Sequence, residues 1–492
     1  MKKIRLFALS AIATICFNLT ACDDGSNGSD NSEAIVLEVY NCAEYISETN
    51  EAEGVVGVLD QFEQYCKDVL NKKVKVNYST YETNEDLFNQ LKAGGVQYDL
   101  VCPSDYMIQK MIINDMLEPL TGDVARQNYN LYGSSYVKEV FDTIEVLNGV
   151  SNKVETFSKY AVPYMWGTMG FMYDPNNVSL EDVSTWDIIW DENYKNKTSL
   201  KDSVRDTYMV AVMHVYKEEL NLAKELLNDG IWTSAQYNEK VTEIMNRCDD
   251  DTLVLVEAAL KEAKENIYEF EVDTGKTNIM NGKYYVNLCW SGDAVYSLDM
   301  AEEDGFILDY KVPEEGSNVW FDGWVMPKGA NVDLAQELMN FLCKPEIARQ
   351  NMEAVGYTSA IAGQAMWELV NEWYGEEKSA DTIPYDLTYF FKGSGIVDEN
   401  GNLMNEFIVY TSEENRQLYA QYSDKDTIDR CAIMKDFGLQ NDKVNEMWIR
   451  VKGNDVSWVI FIFLGVIIGL VVFFEIKKAT GRRARRNRNK AR

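Results

Sequence analysis

Five segments near the start of the chain alternate between strand-like and helical patterns: AIVLEVY (34–40), VVGVLDQFEQYCKDVL (55–70), KVKVNY (73–78), NEDLFNQLKA (84–93) and YDLVC (98–102). The first, third and fifth are short and apolar or alternating, which predicts strands, and the other two have helical character. Strands that alternate with helices form a parallel sheet with helices on both faces. We therefore predict an α/β fold with a ligand site beyond the carboxyl ends of the strands, where NCAEY and PSDYM follow.

The length of the chain indicates more than one lobe. The chain has 492 residues. About 420 of them remain between two unusual terminal segments, which is too many for one ordinary hydrophobic core. We therefore predict two lobes.

The amino-terminal end has the features of an export signal. Three of the first five residues are basic, and residues 6–19 are uncharged and mostly apolar. This run is too short to cross a bilayer but long enough for a signal sequence. It ends in LTAC, which resembles the lipobox of bacterial lipoproteins, and DDGSNGSDNSE (23–33) cannot pack a core. We predict a lipoprotein signal peptide at 1–21, acylation of Cys22 and a flexible linker at 22–33.

The carboxyl-terminal end predicts a second membrane anchor. Residues 456–474 carry no charge, and a run of this length is close to the ~20 residues that span a bilayer. The tail KKATGRRARRNRNKAR that follows has nine Lys or Arg and no acid. By the positive-inside rule we predict a transmembrane helix at 456–476 and a cytoplasmic basic tail at 477–492, with residues 34–455 outside the cell membrane.

Composition argues against nucleic-acid binding and against most enzyme classes. The chain has 47 basic and 79 acidic residues, and a net charge of −32 repels nucleic acid and attracts cations. A single histidine, His214, leaves little for Ser-His-Asp or multi-histidine zinc chemistry. Nine cysteines show no CxxC spacing, and no Walker or dinucleotide motif is present. We therefore expect no metal, no cofactor and no enzymatic activity.

Acidic and aromatic residues occur together at several predicted strand ends. Such a combination suits a ligand that carries ammonium groups on an aliphatic chain, because carboxylates pair with the ammonium groups and aromatic faces attract them. Any one of these residues taken alone is better explained as part of the core or as a solvated face. Only the combination is informative: Glu44-Tyr45, Ser104-Asp105-Tyr106, Asp202, Asp206, Trp290, Trp320, Asp322 and Tyr357.

Eight segments resemble the spermidine/putrescine-binding proteins of ABC importers, in the order found in that family. They are YNCAEYI (40–46), VNYSTYETNEDLF (76–88), YDLVCPSDYMIQKM (98–111), VPYMWGTMGFMYD (162–174), TWDIIWDENYKNKTSLKDSVRDTY (185–208), LCWSGDA (288–294), VPEEGSNVWFDGWVMPKGA (312–330) and FLCKPEIARQNMEAVGY (341–357). The resemblance implies a two-lobed periplasmic-binding-protein-like fold (type II, Venus flytrap). Such a receptor closes on a polyamine and delivers it to the permease subunits. We place lobe 1 at 34–162 and 313–360, and lobe 2 at 163–312 and 361–450.

The resemblance also implies which residues contact the ligand. By this resemblance, nine residues are expected to contact the ligand: Tyr45, Ser104, Tyr106, Asp206, Trp290, Trp320, Asp322, Tyr357 and Gln440. The chain departs from the family pattern at two positions. Cys42 stands where the family usually has a tryptophan, and Ser203 stands where the family commonly has a carboxylate. Glu44 or Asp202 is a candidate replacement for the missing acid.

Several alternatives follow from these departures. One acid fewer weakens the case for a fully charged triamine and leaves two ligands open, putrescine and a spermidine that is held differently. Cys42 and Cys102 both lie at predicted strand ends that face the ligand site, and if those strands are neighbours a disulfide between the two thiols is a further hypothesis. A receptor of the same fold for another organic cation, or a membrane-anchored hydrolase that uses carboxylates, is the alternative function.

Overall fold

The computed structural model describes residues 34–398, 400–412 and 415–453. The predicted signal peptide (1–21), the linker (22–33) with Cys22, and the basic tail (477–492) lie outside the described residues.

The first part of the chain forms the alternating strands and helices that its sequence predicts. Apolar residues at helical spacing bury one side of the first helix, through Val58, Phe62 and Cys66. The second helix begins where Thr83 accepts a hydrogen bond from the amide of Asp86. The elements are β1 (Ile35–Cys42), α1 (Val58–Asp68), β2 (Val74–Tyr81), α2 (Asn84–Ala93), β3 (Leu100–Val101), α3 (Asp105–Ile113), β4 (Leu117–Glu118), α4 (Gln127–Tyr132), α5 (Ser135–Val140), β5 (Glu145–Leu147) and β6 (Val154–Thr156).

The middle of the chain begins with a long strand and continues with an α/β arrangement interrupted by consecutive helices. The acidic stretch 217–264 forms three of these helices. The elements are β7 (Ala161–Tyr173), α6 (Leu180–Val183), β8 (Thr198–Lys201), α7 (Val204–Val215), α8 (Lys217–Asn228), α9 (Ser234–Met245), α10 (Asp250–Asn266), β9 (Glu269–Glu271), α11 (Gly275–Met280), β10 (Val286–Trp290), α12 (Ser291–Glu303) and β11 (Asp309–Lys311).

The last part of the chain returns to the first half of the sheet and then adds peripheral elements. The elements are β12 (Val319–Pro327), α13 (Val332–Leu342), α14 (Pro345–Val355), β13 (Thr358–Ser359), α15 (Gln364–Tyr374), β14 (Ile383–Asp386), α16 (Thr388–Phe391), β15 (Ile408–Thr411), α17 (Arg416–Gln421), α18 (Lys425–Asp429) and α19 (Asn441–Lys452).

One sheet of 11 strands organises the molecule, with the main order β2-β1-β3-β12-β7-β10-β8-β9. Strand β1 pairs in parallel with β2 and β3, and β8 pairs in parallel with β9 and β10. Between these two parallel groups, β12 and β7 run antiparallel to each other and to their neighbours. The sheet therefore consists of two α/β halves, as the predicted fold class requires.

Strand β7 joins the two halves. Residues 161–168 pair with β12, and residues 169–173 pair with β10. All its residues are buried, so it runs through the interior of both halves. At Gly167 an added side chain would meet Ser291 and lie 2.6 Å from the Trp320 ring, so a glycine is needed where these residues approach the strand.

The segment 361–450, which we predicted to be part of lobe 2, packs on both halves. Helix α15 contacts α14, and α16 contacts α5, which belong to the half that contains β1. Helices α17, α18 and α19 contact α12, α9 and α10 of the other half. The lobe boundaries given above stay a prediction.

The transmembrane helix that completes the predicted fold class has no counterpart among the described residues, so the fold class is corrected to the two-lobed α/β fold alone. Within the described residues, none of the helices combines the length and the apolar character needed to cross a membrane. The last helix there, α19, has 12 residues and buries Val444, Met447 and Val451 against the folded chain. The segment 456–476, where we predicted the span, lies outside the described residues.

Candidate ligand-binding cavity

A cavity of about 1190 Å³ lies where the two halves of the sheet meet. The carboxyl ends of β1, β3 and β10 face it, together with β12 and the first turns of α3, α7 and α12. This is the edge of the sheet at which parallel α/β proteins bind ligands. Asp and Glu dominate the charged part of the wall, and among the described residues Lys201 and Lys276 are its only basic side chains. The cavity therefore attracts cations.

The structure brings nine of the ten candidate residues to this cavity. They are Glu44, Tyr45, Ser104, Tyr106, Asp206, Trp290, Trp320, Asp322 and Tyr357. The tenth, Gln440, lies in the turn before α19, where its amide donates to the Asp250 carboxylate at 3.1 Å. This corrects the prediction for Gln440, because its side chain bonds to the Asp250 side chain instead of lining the cavity. Ligand contact by the other nine stays a prediction.

Asp322 lines the cavity, and only one of its two carboxylate oxygens has a hydrogen-bond partner among the described residues. The pairing of β12 with β7 is irregular between Phe321 and Gly323, and Asp322 lies at this irregularity. The Tyr45 hydroxyl donates to Asp322 Oδ2 at 2.6 Å. Asp322 Oδ1 is buried and has no hydrogen-bond partner among the described residues. Burial raises the pKa of Asp322 to about 6, while the hydroxyls of Tyr45 and Ser104 oppose this rise.

Asp206 supplies a second carboxylate, from the other half of the sheet. It lies in the first turn of α7, where the Ser203 hydroxyl accepts a hydrogen bond from the Asp206 amide. Burial raises the pKa of Asp206 to about 6, and the Ser203 hydrogen bond and Lys201 oppose the rise. Neither Asp206 nor Asp322 forms an ion pair within the described part of the chain. Each carboxylate is thus available to a cationic ligand.

Aromatic rings line the space beside these carboxylates. Tyr357 packs edge-on against Tyr45 and Trp320, with ring centroids 5.2 and 5.6 Å apart. The Trp320 indole donates to the Thr168 carbonyl at 3.2 Å, which fixes the ring beside β7. Tyr106 also lines the cavity, and its hydroxyl donates to Glu85 Oε1 at 3.2 Å. Such faces suit the aliphatic and cationic parts of an organic cation.

Sequence reasoning missed a group of four charged residues beside Trp290. Lys201 lies 3.2 Å from Glu271 Oε1 and 3.5 Å from Asp293 Oδ2, and its ammonium lies 4.5 Å from the centre of the Trp290 ring. Lys276 contacts the other oxygen of Asp293 at 3.3 Å. The only sequence signals were the positions of Lys201 and Asp293 within the quoted segments TWDIIWDENYKNKTSLKDSVRDTY and LCWSGDA.

The structure shows the surroundings of Ser203 and Cys42, the two residues that depart from the family pattern. Ser203 caps α7, so its hydroxyl is used by the backbone. Cys42 lines the cavity as a free thiol, and burial raises its pKa to about 12. Cys102 is also free, so the disulfide hypothesis is wrong. In the parallel pairing of β1 with β3, Tyr40 lies opposite Val101. Continuing this register places Cys102 opposite Asn41 and not opposite Cys42.

Two joined α/β halves around a ligand-sized cavity define a two-lobed binding protein. The chain matches the family of bacterial extracellular solute-binding proteins over residues 58–373 and belongs to that family. Members of this family bind solutes, so the prediction of a binding protein rather than an enzyme is confirmed. Among the described residues, no group of three metal-ligating side chains is close enough to hold a metal ion.

The chain is also similar in sequence to individual named proteins and in structure to a solved protein. The chain is 27% identical over 335 residues to the spermidine/putrescine-binding periplasmic protein of Escherichia coli K12, covering 68% of this chain and 78% of that protein. It is 28% identical over 351 residues to the putrescine-binding periplasmic protein SpuD of Pseudomonas aeruginosa, covering 68% and 81%. A solved structure of a putative spermidine/putrescine ABC transporter from Listeria monocytogenes has a TM-score of 0.58 at 23% identity, covering 85% of this chain and 99% of that one. The structural match confirms the two-lobed α/β fold.

Proposed function

We propose that this protein is the receptor of an ABC importer and captures polyamines, with putrescine or spermidine as the ligand. The observation that carries the proposal is a pair of carboxylates, Asp322 and Asp206, that line one cavity from opposite halves of the sheet. Neither carboxylate has a cationic partner within the part of the chain that the structure describes. Buried charges without partners are costly. A ligand with an ammonium group at each end would pair with both.

The aromatic lining and the named relatives support the same ligand class. Tyr45, Trp320 and Tyr357 present ring faces and edges next to Asp322, where a methylene chain can pack. The relatives from Escherichia coli and Pseudomonas aeruginosa are named as polyamine-binding proteins. Both lines of support concern organic cations, and neither concerns anions or sugars.

We further propose that the ligand is trapped by closure of the two halves. Strands β7 and β12 connect the halves at the cavity, so a small rotation about them changes the distance between the walls. A ligand that bridges Asp322 and Asp206 interacts with both walls only when they are close. Binding therefore shifts the population toward the closed form, which the permease subunits then receive.

The relatives are periplasmic proteins, and we propose that this chain also works outside the cytoplasm. The support comes from the signal pattern at 1–21 and from the LTAC sequence that ends at Cys22. Acylation of Cys22 would hold the receptor at the membrane surface, close to its permease. Mass spectrometry of the protein isolated from its cell membrane, with and without Cys22→Ser, tests this step. An unmodified Cys22 would contradict it.

Isothermal titration of the full chain with putrescine, spermidine, maltose and phosphate tests the main proposal. We expect micromolar or tighter binding of at least one polyamine, equivalent to about −8 kcal/mol or better, and no binding of maltose or phosphate. Binding of neither polyamine would contradict the proposed ligand class.

A further inference from the structure

The side chain of Lys201 is buried in the wall of the cavity. Its side chain is 2% exposed, which is rare for lysine. The ammonium donates to the Val272 carbonyl at 2.7 Å and lies within ion-pair distance of Glu271 and Asp293. It also lies over the ring of Trp290. Two carboxylates, one carbonyl and one aromatic face therefore surround a single ammonium group.

These surroundings are the kind that an amine of a polyamine needs. A buried ammonium is stabilised by carboxylate acceptors in place of water, and an aromatic face adds to the attraction. Asp322 offers the same elements, with one carboxylate oxygen unpartnered and Trp320, Tyr45 and Tyr357 nearby. The difference is that the site beside Trp290 already holds a cation that belongs to the protein.

The two carboxylates nearest to the Lys201 ammonium are already balanced by two lysines of the protein. Two lysines, Lys201 and Lys276, face two carboxylates, Glu271 and Asp293. Glu271 also accepts hydrogen bonds from the Gly275 amide at 2.7 Å and from Asn287 at 3.0 Å. A ligand ammonium that entered here would have to displace the Lys201 ammonium, which is tethered to the strand and fully buried.

We infer that the Lys201 ammonium occupies one amine subsite of the cavity permanently, so that the receptor selects a diamine over a triamine. The inference rests on the proposed function and refines it. The two amines of a diamine such as putrescine pair with Asp322 and Asp206. The third amine of spermidine, extending toward Trp290, meets the like charge of Lys201 instead of a free carboxylate. Selection therefore comes from repulsion at this subsite as well as from attraction at the other two.

Competition titration of the full chain with putrescine and spermidine tests the inference. We expect wild-type protein to bind putrescine about tenfold or more tightly than spermidine, since a desolvated like-charge contact costs more than the ~1.4 kcal/mol of a tenfold change. The Lys201→Met variant removes the positive charge that pairs with Glu271 and Asp293, so a ligand ammonium can take its place. The ratio of the spermidine Kd to the putrescine Kd should therefore fall at least about tenfold, mainly because spermidine binds more tightly.

Two further variants keep the result decisive. Lys201→Gln is neutral but retains hydrogen-bond donors for the same acceptors, so it reports the ratio if Lys201→Met does not fold. Lys217→Met is the matched control, because Lys217 pairs with Asp187 and does not line the cavity, and its ratio should equal that of wild type.

The outcomes separate this inference from the proposed function. Wild-type protein that binds neither polyamine contradicts the proposed function. Wild-type protein that binds spermidine as tightly as putrescine contradicts the inference alone, as does a folded Lys201→Gln or Lys201→Met variant with an unchanged ratio.

Discussion

Replacing Asp322 by asparagine should weaken polyamine binding strongly without unfolding the protein. The two side chains have nearly the same shape, and an oxygen remains to accept the hydrogen bond that Tyr45 donates to Asp322 Oδ2. What changes is the second oxygen, Oδ1, which is buried and has no hydrogen-bond partner among the described residues. In wild type it carries part of the carboxylate charge, and in the variant an uncharged amide group takes its place. The variant therefore removes one charge pair and adds a donor that repels a cation.

The size of the effect follows from the burial of this pair. Removing one member of a desolvated, hydrogen-bonded charge pair costs about 2–5 kcal/mol, which is about 30-fold or more in Kd. An exposed pair would give about 1 kcal/mol or less. Because burial raises the pKa of Asp322 to about 6, the carboxylate is ionised at pH 7.5, and the full effect applies there.

The pH dependence of the same variant gives an internal check. Folding raises the pKa of Asp322 above its unfolded value, so its contribution to the stability of the free protein is present at low pH and is lost as pH rises through about 6. Relative to wild type, the free Asp322→Asn protein should therefore be more stable at pH 8 than at pH 5. The difference in ligand affinity should shrink at pH 5, where Asp322 is itself mostly neutral.

Titration calorimetry and thermal melts at pH 5 and 7.5 measure both effects. Asp202→Asn is the control, because Asp202 also lines the cavity but is already paired with Lys452; we expect a change below about threefold there. Wild-type affinity in Asp322→Asn at pH 7.5 would refute the assignment of Asp322 as an ammonium-binding residue.

Three further predictions concern the rest of the cavity. Asp206→Asn should weaken binding about tenfold or more, measured by the same titration, and an unchanged Kd would remove Asp206 from the site. Because the pKa values of Asp206 and Asp322 are both raised to about 6, wild-type affinity should fall from pH 7.5 to pH 5 with proton release on binding, seen as a heat that depends on the buffer; a flat profile would contradict this. Trp320→Leu should cost about 0.5–2 kcal/mol through lost cation–π and packing contacts, and Trp367→Leu, whose ring packs on Phe391 and Phe407, should leave Kd unchanged.

The alternating part of the fold could be predicted because the information is local. The apolar spacing in α1 and the capping residue of α2 each lie within one segment, and the structure forms these helices close to the predicted bounds. The path of β7 through both halves could not be predicted in this way. It depends on which strands pair with its two ends, and these come from distant parts of the chain.

The cavity could be predicted in part for the same reason. Residues at strand ends, such as Tyr45 and Trp290, lie there because the topology of a parallel sheet brings strand ends together. Lys201 was missed because a lysine in sequence indicates a solvated position. Its burial depends on Glu271 and Asp293, which only the folded chain brings next to it. Gln440 was misassigned because nothing in its local sequence distinguishes a cavity residue from one that bonds to Asp250.

A crystal structure of the full chain with bound putrescine tests the central claim most directly. The account predicts one ammonium nitrogen within about 3 Å of Asp322, the other within about 3 Å of Asp206, and the Lys201 ammonium still between Glu271 and Asp293. A ligand bound outside this cavity, or one whose ammonium groups contact neither Asp322 nor Asp206, would contradict it.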